Sequence, residues 1–149
     1  MYICVDFDGT CVRHAYPHIG KEIGAVPVLK YLSKKHKIIL YTMRDGYTLM
    51  AAARWFRLHD IELYGINDNP GAHFTKSPKV HANLYIDDRA LGIPLVPDVD
   101  RDYVDWHGCV ELLHKMHLVE DNDVSELHKQ IDQWLHGVGG LISPFHECK

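Results

Sequence analysis

The stretch YICVDFDGT, residues 2–10, decides the fold: an apolar run ends in two carboxylates, Asp6 and Asp8, followed by glycine and threonine. Residues 2–7 read as a short buried strand, rich in β-branched and aromatic side chains. A carboxylate carried to the end of a buried strand is costly unless it is paired, hydrogen-bonded or bound to a cation. Two of them one residue apart point to a cation, or to chemistry, at that strand end.

The rest of the chain repeats this strand at intervals. Residues 11–24, broken by Pro17, Gly20 and Gly24, read as a loop or small hairpin. A helix is expected over 25–36, with Val26, Leu29, Tyr31 and Leu32 apolar and Pro27 in the first turn, where its missing N–H does no harm. KIILYTMR (37–44) is a second buried strand, and Leu49, Ala52, Ala53, Phe56 and Leu58 predict a helix over 47–59. IELYGIN (61–67) reads as a third strand, 67–80 as loop or loop with one helical turn, and ANLYIDD (82–88) as a further strand ending in acids. LVPDVD (95–100) is a fifth strand or a turn. Amphipathic helices follow over 106–118 and 124–135, the second capped by Asp123 and ended by Gly137, Gly139 and Gly140.

Strands alternating with helices predict an α/β fold: a three-layer, Rossmann-like parallel sheet with helices on both faces. Ligands bind such sheets beyond the carboxyl ends of the strands, where the topology switches. Asp6 and Asp8, Thr42, and Asp87 with Asp88 each end a predicted strand, so three separate polar clusters should converge on one edge.

The 149 residues suit one domain over 1–149, with a core over 1–118 and a C-terminal helical extension over 119–149. That extension either packs on the core or forms a subunit contact. A formal charge of -4 with 46% hydrophobic residues gives no support to a role driven by bulk charge on nucleic acid or membrane. No apolar run approaches the roughly 18 residues of a membrane span, and no secretion signal is read at the N-terminus. Cys4, Cys11, Cys109 and Cys148 form no CxxC pair, so a reduced, cytoplasmic protein is expected. Among the 12 histidines, His114 and His117 share a helix face but have no partner at a convincing zinc spacing. Trp55, Trp106 and Trp134 read as packing residues, not as a base-stacking platform.

Asp6, Asp8, Asp87 and Asp88 offer oxygen ligands suited to Mg²⁺, a hard cation that prefers carboxylates and water. A carboxylate so placed is also a nucleophile toward phosphorus, and a second one can serve as general acid and base. Charge developing on a transferred phosphoryl group needs donors and cations. Thr42, the backbone around Phe7, and Lys79 or Lys76 are the candidates.

DFDGT, a strand ending in Thr42, a lysine and then IDD resemble, in that order, the four motifs of the haloacid dehalogenase superfamily of phosphohydrolases, over residues 1–96. The resemblance implies Asp6 as nucleophile, Asp8 as general acid and base, Thr42 on the phosphoryl oxygens, and Lys79 neutralising the phosphate, with Lys76 the alternative. Asp88 would be the acidic metal ligand, with Asp87 beside it. Phe7, Gly9 and Thr10 of the loop, with Met43 and Arg44 after the threonine, would line the substrate. Members that dehalogenate lack the second aspartate and pumping ATPases carry threonine there, so Asp8 implies phosphatase or phosphotransferase chemistry. KVHANLYIDDR (79–89) is similar to the KxxADxxIDDR pattern of small bacterial members, with Asn83 in place of the usual aspartate.

The spacings from Asp6 to Thr42 and from Thr42 to Lys79 leave no room for the cap domain of larger members, and HAYPHIG (14–20) would serve as a flap. An open site admits large substrates, or a neighbouring subunit closes it, which would favour a homo-oligomer. The IDDR ending is also similar to polynucleotide 3′-phosphatases and deoxyribonucleotidases. The expected substrate is thus a phosphorylated small molecule, a nucleotide or a nucleic-acid end. The alternative function is a non-catalytic descendant that binds a phosphorylated ligand or a partner.

Overall fold

The computed structural model of the chain describes residues 1–137. Alternation of Ile3 and Val5 against Cys4 makes β1 (Tyr2–Val5) apolar on both faces, as a central parallel strand must be. The chain continues through α1 (Ala25–Ser33), β2 (Lys37–Leu40), α2 (Gly46–Leu58), β3 (Leu63–Ile66) and β4 (Leu84–Ile86). The four strands form one parallel sheet in the order β3-β2-β1-β4. Tyr2 pairs with Lys37 on one side of β1, and Ile3 with Leu84 on the other. The protein is therefore an α/β, Rossmann-like three-layer fold. Its chain steps outward from β1 to β3 and then returns to the opposite side of β1, which puts the switch point between β1 and β4.

Ile3, Val5, Ile38 and Leu40 face a core shared with Leu29 and Leu32 of α1, Trp55 and Phe56 of α2, and the helices that end the chain. On the reverse face Cys4 and Ile39 pack with Val80, Ala82 and Tyr2, Tyr41, Tyr64 and Tyr85. The segment between β3 and β4, read from the sequence as loop or loop with one helical turn, makes that third layer and holds no helix.

β5 (Leu95–Val96) and β6 (Tyr103–Val104) form a separate antiparallel pair, so LVPDVD is one arm of a hairpin rather than a fifth strand of the main sheet. α3 (Trp106–Lys115) begins behind Asp105, whose carboxylate caps the His107 N–H at 3.0 Å. α4 (Asp121–His136) starts two residues before the expected Asp123 cap, and the Asp123 carboxylate accepts the Tyr31 hydroxyl at 2.6 Å instead. Leu127 and Ile131 of α4 belong to the main core, so the helix packs on the domain. Gly137 ends α4; Gly139, Gly140 and Cys148 lie outside the described residues. Cys4, Cys11 and Cys109 are buried free thiols. His114 is hydrogen-bonded to the Val119 carbonyl and sits by Asp121, while His117 falls in the turn after α3 at φ 59°.

Candidate functional site

Asp6, Phe7 and Asp8 leave β1 with alternating directions, so the two acids flank a side chain that drops into the core. Phe7 is fully buried, edge-to-face on Trp55 with centroids 5.6 Å apart, a pair worth about 1 kcal/mol beyond its area. The Phe7 carbonyl accepts from the N–H groups of Thr10, Cys11 and Val12 at 3.2, 2.8 and 3.3 Å, folding DFDGT into a tight turn. Gly9 turns the corner at φ 80°, and a Cβ there would overlap the His14 ring and lie 2.9 Å from Asp88 Oδ2. The Trp106 indole donates to the Thr10 carbonyl at 2.8 Å, and the Val104 N–H to the Gly9 carbonyl at 2.8 Å. The loop is thus braced from the β6–α3 junction.

β4 delivers Asp87 and Asp88 beside it. One carboxylate oxygen each from Asp6, Asp87 and Asp88 lies within 4.8 Å of the others. The Thr10 hydroxyl joins the two strand ends: it donates to Asp6 Oδ2 at 3.2 Å and accepts from the Asp88 N–H at 3.0 Å. Burial, with the charges of Asp87 and Asp88, pushes the Asp6 carboxyl up to about 7, against the Phe7 N–H and the Thr10 hydroxyl, which favour its charged form. Three crowded carboxylates with a proton-hungry member form an oxygen-donor set that suits a hard divalent cation. The His14 ring holds Asp88 Oδ2 at 3.2 Å, and the Arg101 guanidinium stands 3.7 Å from the same oxygen.

Asp8 stands apart from this triad, which corrects the expectation that its carboxylate would join the metal ligands. Both of its oxygens accept from Arg44, Nε to Oδ2 and Nη2 to Oδ1, each at 2.7 Å. Arg44 is only 2% exposed and also donates to the carbonyls of Pro17 and His18 at 3.1 and 2.7 Å. It lies between the rings of Phe7 and Tyr16, 5.0 and 5.4 Å from their centroids. One buried guanidinium therefore ties Asp8, the 16–18 loop and the end of β2 together. Such a group does not serve as a substrate-contacting arginine; its donors are already spent.

Thr42 sits at the end of β2. Its N–H donates to Asn67 Oδ1 at 2.8 Å, and its hydroxyl accepts from the Arg44 N–H at 3.2 Å. Together these groups enclose a cleft of about 550 Å³ lined by Asp6, Asp8, Thr42, Met43, Asp87 and Asp88, with His14, Tyr16, Arg44, Arg89 and Arg101. Met43 is almost wholly exposed at its rim.

Lys79 and Lys76 do not line the cleft. The Lys79 ammonium lies 5.7 Å from the centre of the Tyr85 ring, on the face of the sheet covered by 67–82. Reading the sequence also missed His14, Tyr16, Asn67 and Arg101. Asn67 was findable, since it follows β3 at the same edge as the acids; His14 and Arg101 arrive on loops and carry no pattern.

No family model matches the chain, and no curated protein matches it. A solved structure of a conserved protein from Bacteroides thetaiotaomicron is 41% identical, covering 78% of this chain and 91% of that one, with a TM-score of 0.63. At that identity over most of both chains, the protein belongs to the same family as the conserved Bacteroides thetaiotaomicron protein.

Proposed function

We propose that the protein is a Mg²⁺-dependent phosphatase of haloacid dehalogenase type, hydrolysing a phosphate monoester through an aspartyl-phosphate. The observation that carries this reading is the Asp6–Asp87–Asp88 triad at the switch point, with Asp8 two residues beyond the nucleophile position. Asp6, Asp87 and Asp88 would hold the cation, which neutralises the triad and the phosphoryl oxygens when bound.

The chain's own residues perform the transfer. An Asp6 carboxylate oxygen attacks phosphorus, and the bond from phosphorus to the leaving oxygen breaks. Asp8, once one of its oxygens has left Arg44 and taken a proton from water, gives that proton to the leaving oxygen, then removes one from the water that attacks the aspartyl-phosphate. Arg44 fixes the direction of the Asp8 carboxylate through two bonds in one plane. Thr42, held by Asn67, donates to a phosphoryl oxygen.

Phosphate release from phenyl phosphate, with Mg²⁺ and with EDTA, tests the reading on wild type and Asp6→Asn. Turnover that needs Mg²⁺ and is lost in Asp6→Asn is expected. Mg²⁺ binding with no turnover of any phosphate monoester would instead favour a non-catalytic binder.

A further inference from the structure

Two of the arginines that line the cleft make no side-chain hydrogen bond among the described residues. Its floor carries Asp6, Asp8, Asp87 and Asp88; its cationic side chains are Arg44, His14, Arg101 and Arg89. Arg44 is consumed by Asp8 and by loop carbonyls, and His14 by Asp88. Arg101 is 3.7 Å from Asp88 Oδ2, too long for a hydrogen bond, with 42% of its side chain exposed. Arg89 is anchored by its backbone, its N–H donating to Asp87 Oδ1 at 2.8 Å. Its guanidinium has no hydrogen-bond or ion-pair partner among the described residues. A guanidinium fixed at its root beside the acids, yet unpaired at its tip, is placed to bind an anion in two-point fashion.

The anion that reacts is provided for by the triad and Thr42. We propose that the substrate is a phosphate monoester bearing a second phosphate group, which Arg89 holds at the cleft mouth with Arg101 beside it. The inference rests on the phosphatase reading above and deepens it. Tyr16 and Met43, both exposed and both lining the cleft, give the body that joins the two phosphates an apolar wall. The two arginines come from different elements, β4's end and the β5–β6 hairpin, so the second phosphate also ties the hairpin to the sheet.

Matched substrate pairs test this: fructose 6-phosphate against fructose 1,6-bisphosphate, and adenosine 3′-phosphate against adenosine 3′,5′-bisphosphate. Phenyl phosphate serves as a substrate with no second anion. The readout is the ratio of kcat/KM within each pair, for wild type, Arg89→Gln, Arg89→Lys and the Arg89→Gln/Arg101→Gln double variant. Both arginines are exposed, so these variants fold. A two-point, charge-assisted contact predicts a wild-type preference of about tenfold or more for the bisphosphate in at least one pair. That ratio should fall toward one in Arg89→Gln and the double variant, and recover in part in Arg89→Lys. Turnover of phenyl phosphate without any preference for either bisphosphate overturns the inference and leaves the phosphatase reading standing. A preference that survives in the double variant also overturns it. No Mg²⁺-dependent phosphate release from any of the five compounds overturns the phosphatase reading, and this inference with it.

Discussion

Replacing Asp6 with asparagine should stabilise the metal-free protein at alkaline pH while sharply reducing its response to Mg²⁺. Burial, followed by the charges of Asp87 and Asp88, raises the Asp6 carboxyl from an ordinary 3.8 to about 7. The folded protein then keeps a proton that the unfolded chain gives up. A raised carboxyl favours folding fully below about 3.8, and that contribution is lost as pH climbs through about 7. The interval spans about three pH units at about 1.4 kcal/mol each, so charging Asp6 costs at most about 4 kcal/mol. Screening at the cleft side of the carboxyl reduces this to about 2 kcal/mol over the range from pH 5 to pH 8. Urea denaturation in EDTA at those two pH values, for wild type and Asp6→Asn, measures it. Wild type should lose about 2 kcal/mol more than the variant on going to pH 8. Mg²⁺ should restore that loss in wild type and shift the variant far less. Equal pH dependence in the two proteins would refute the argument, because it would mean that neither burial nor the neighbouring carboxylates disfavour the charged form of Asp6.

Arg44→Lys keeps the charge but cannot reach Asp8, the Pro17 and His18 carbonyls and two aromatic faces at once. A loss of about 2 kcal/mol or more in chemical denaturation is expected, with turnover reduced at least tenfold; unchanged stability would show that the ion pair is dispensable. Gly9→Ala should lower stability by about 1–2 kcal/mol from its positive φ alone, and further because its Cβ overlaps the His14 ring. Adding His14→Ala to Gly9→Ala should return the overlap portion and leave the backbone portion, as read by thermal melts. Lys79→Ala should retain phosphatase turnover within about twofold, since the Lys79 ammonium lies over Tyr85 and outside the cleft. A loss of a hundredfold or more would require the 67–82 segment to close onto the site during turnover.

Legibility from sequence followed the range of the interactions involved. β1 and β2 were readable because four-residue apolar runs announce a strand buried on both faces. The helices over 47–59 and 106–118 were readable from their periodicity, with ends no more than three residues off the observed α2 and α3. The convergence of Asp6 with Asp87 and Asp88 followed from topology, since parallel strands share one carboxyl edge. The layer covering Cys4 and Ile39 was not readable, because 67–82 has no periodic pattern and packs through Val80, Ala82 and tyrosines drawn from several strands. Nor was the engagement of Asp8 with Arg44, residues separated by 36 positions and joined only when β1 and β2 pair.

By itself the sequence determined the α/β class, the parallel order of alternating elements and the edge on which the acids gather. Those follow from patterns repeated every few residues, which any part of the chain expresses without the rest. Only the tertiary structure decided which cations serve that edge. It spent Arg44 on Asp8, set Lys79 over Tyr85, and brought His14 and Arg101 to Asp88 on loops. A charged side chain's partner depends on distances between segments remote in the chain, and no local pattern encodes those distances.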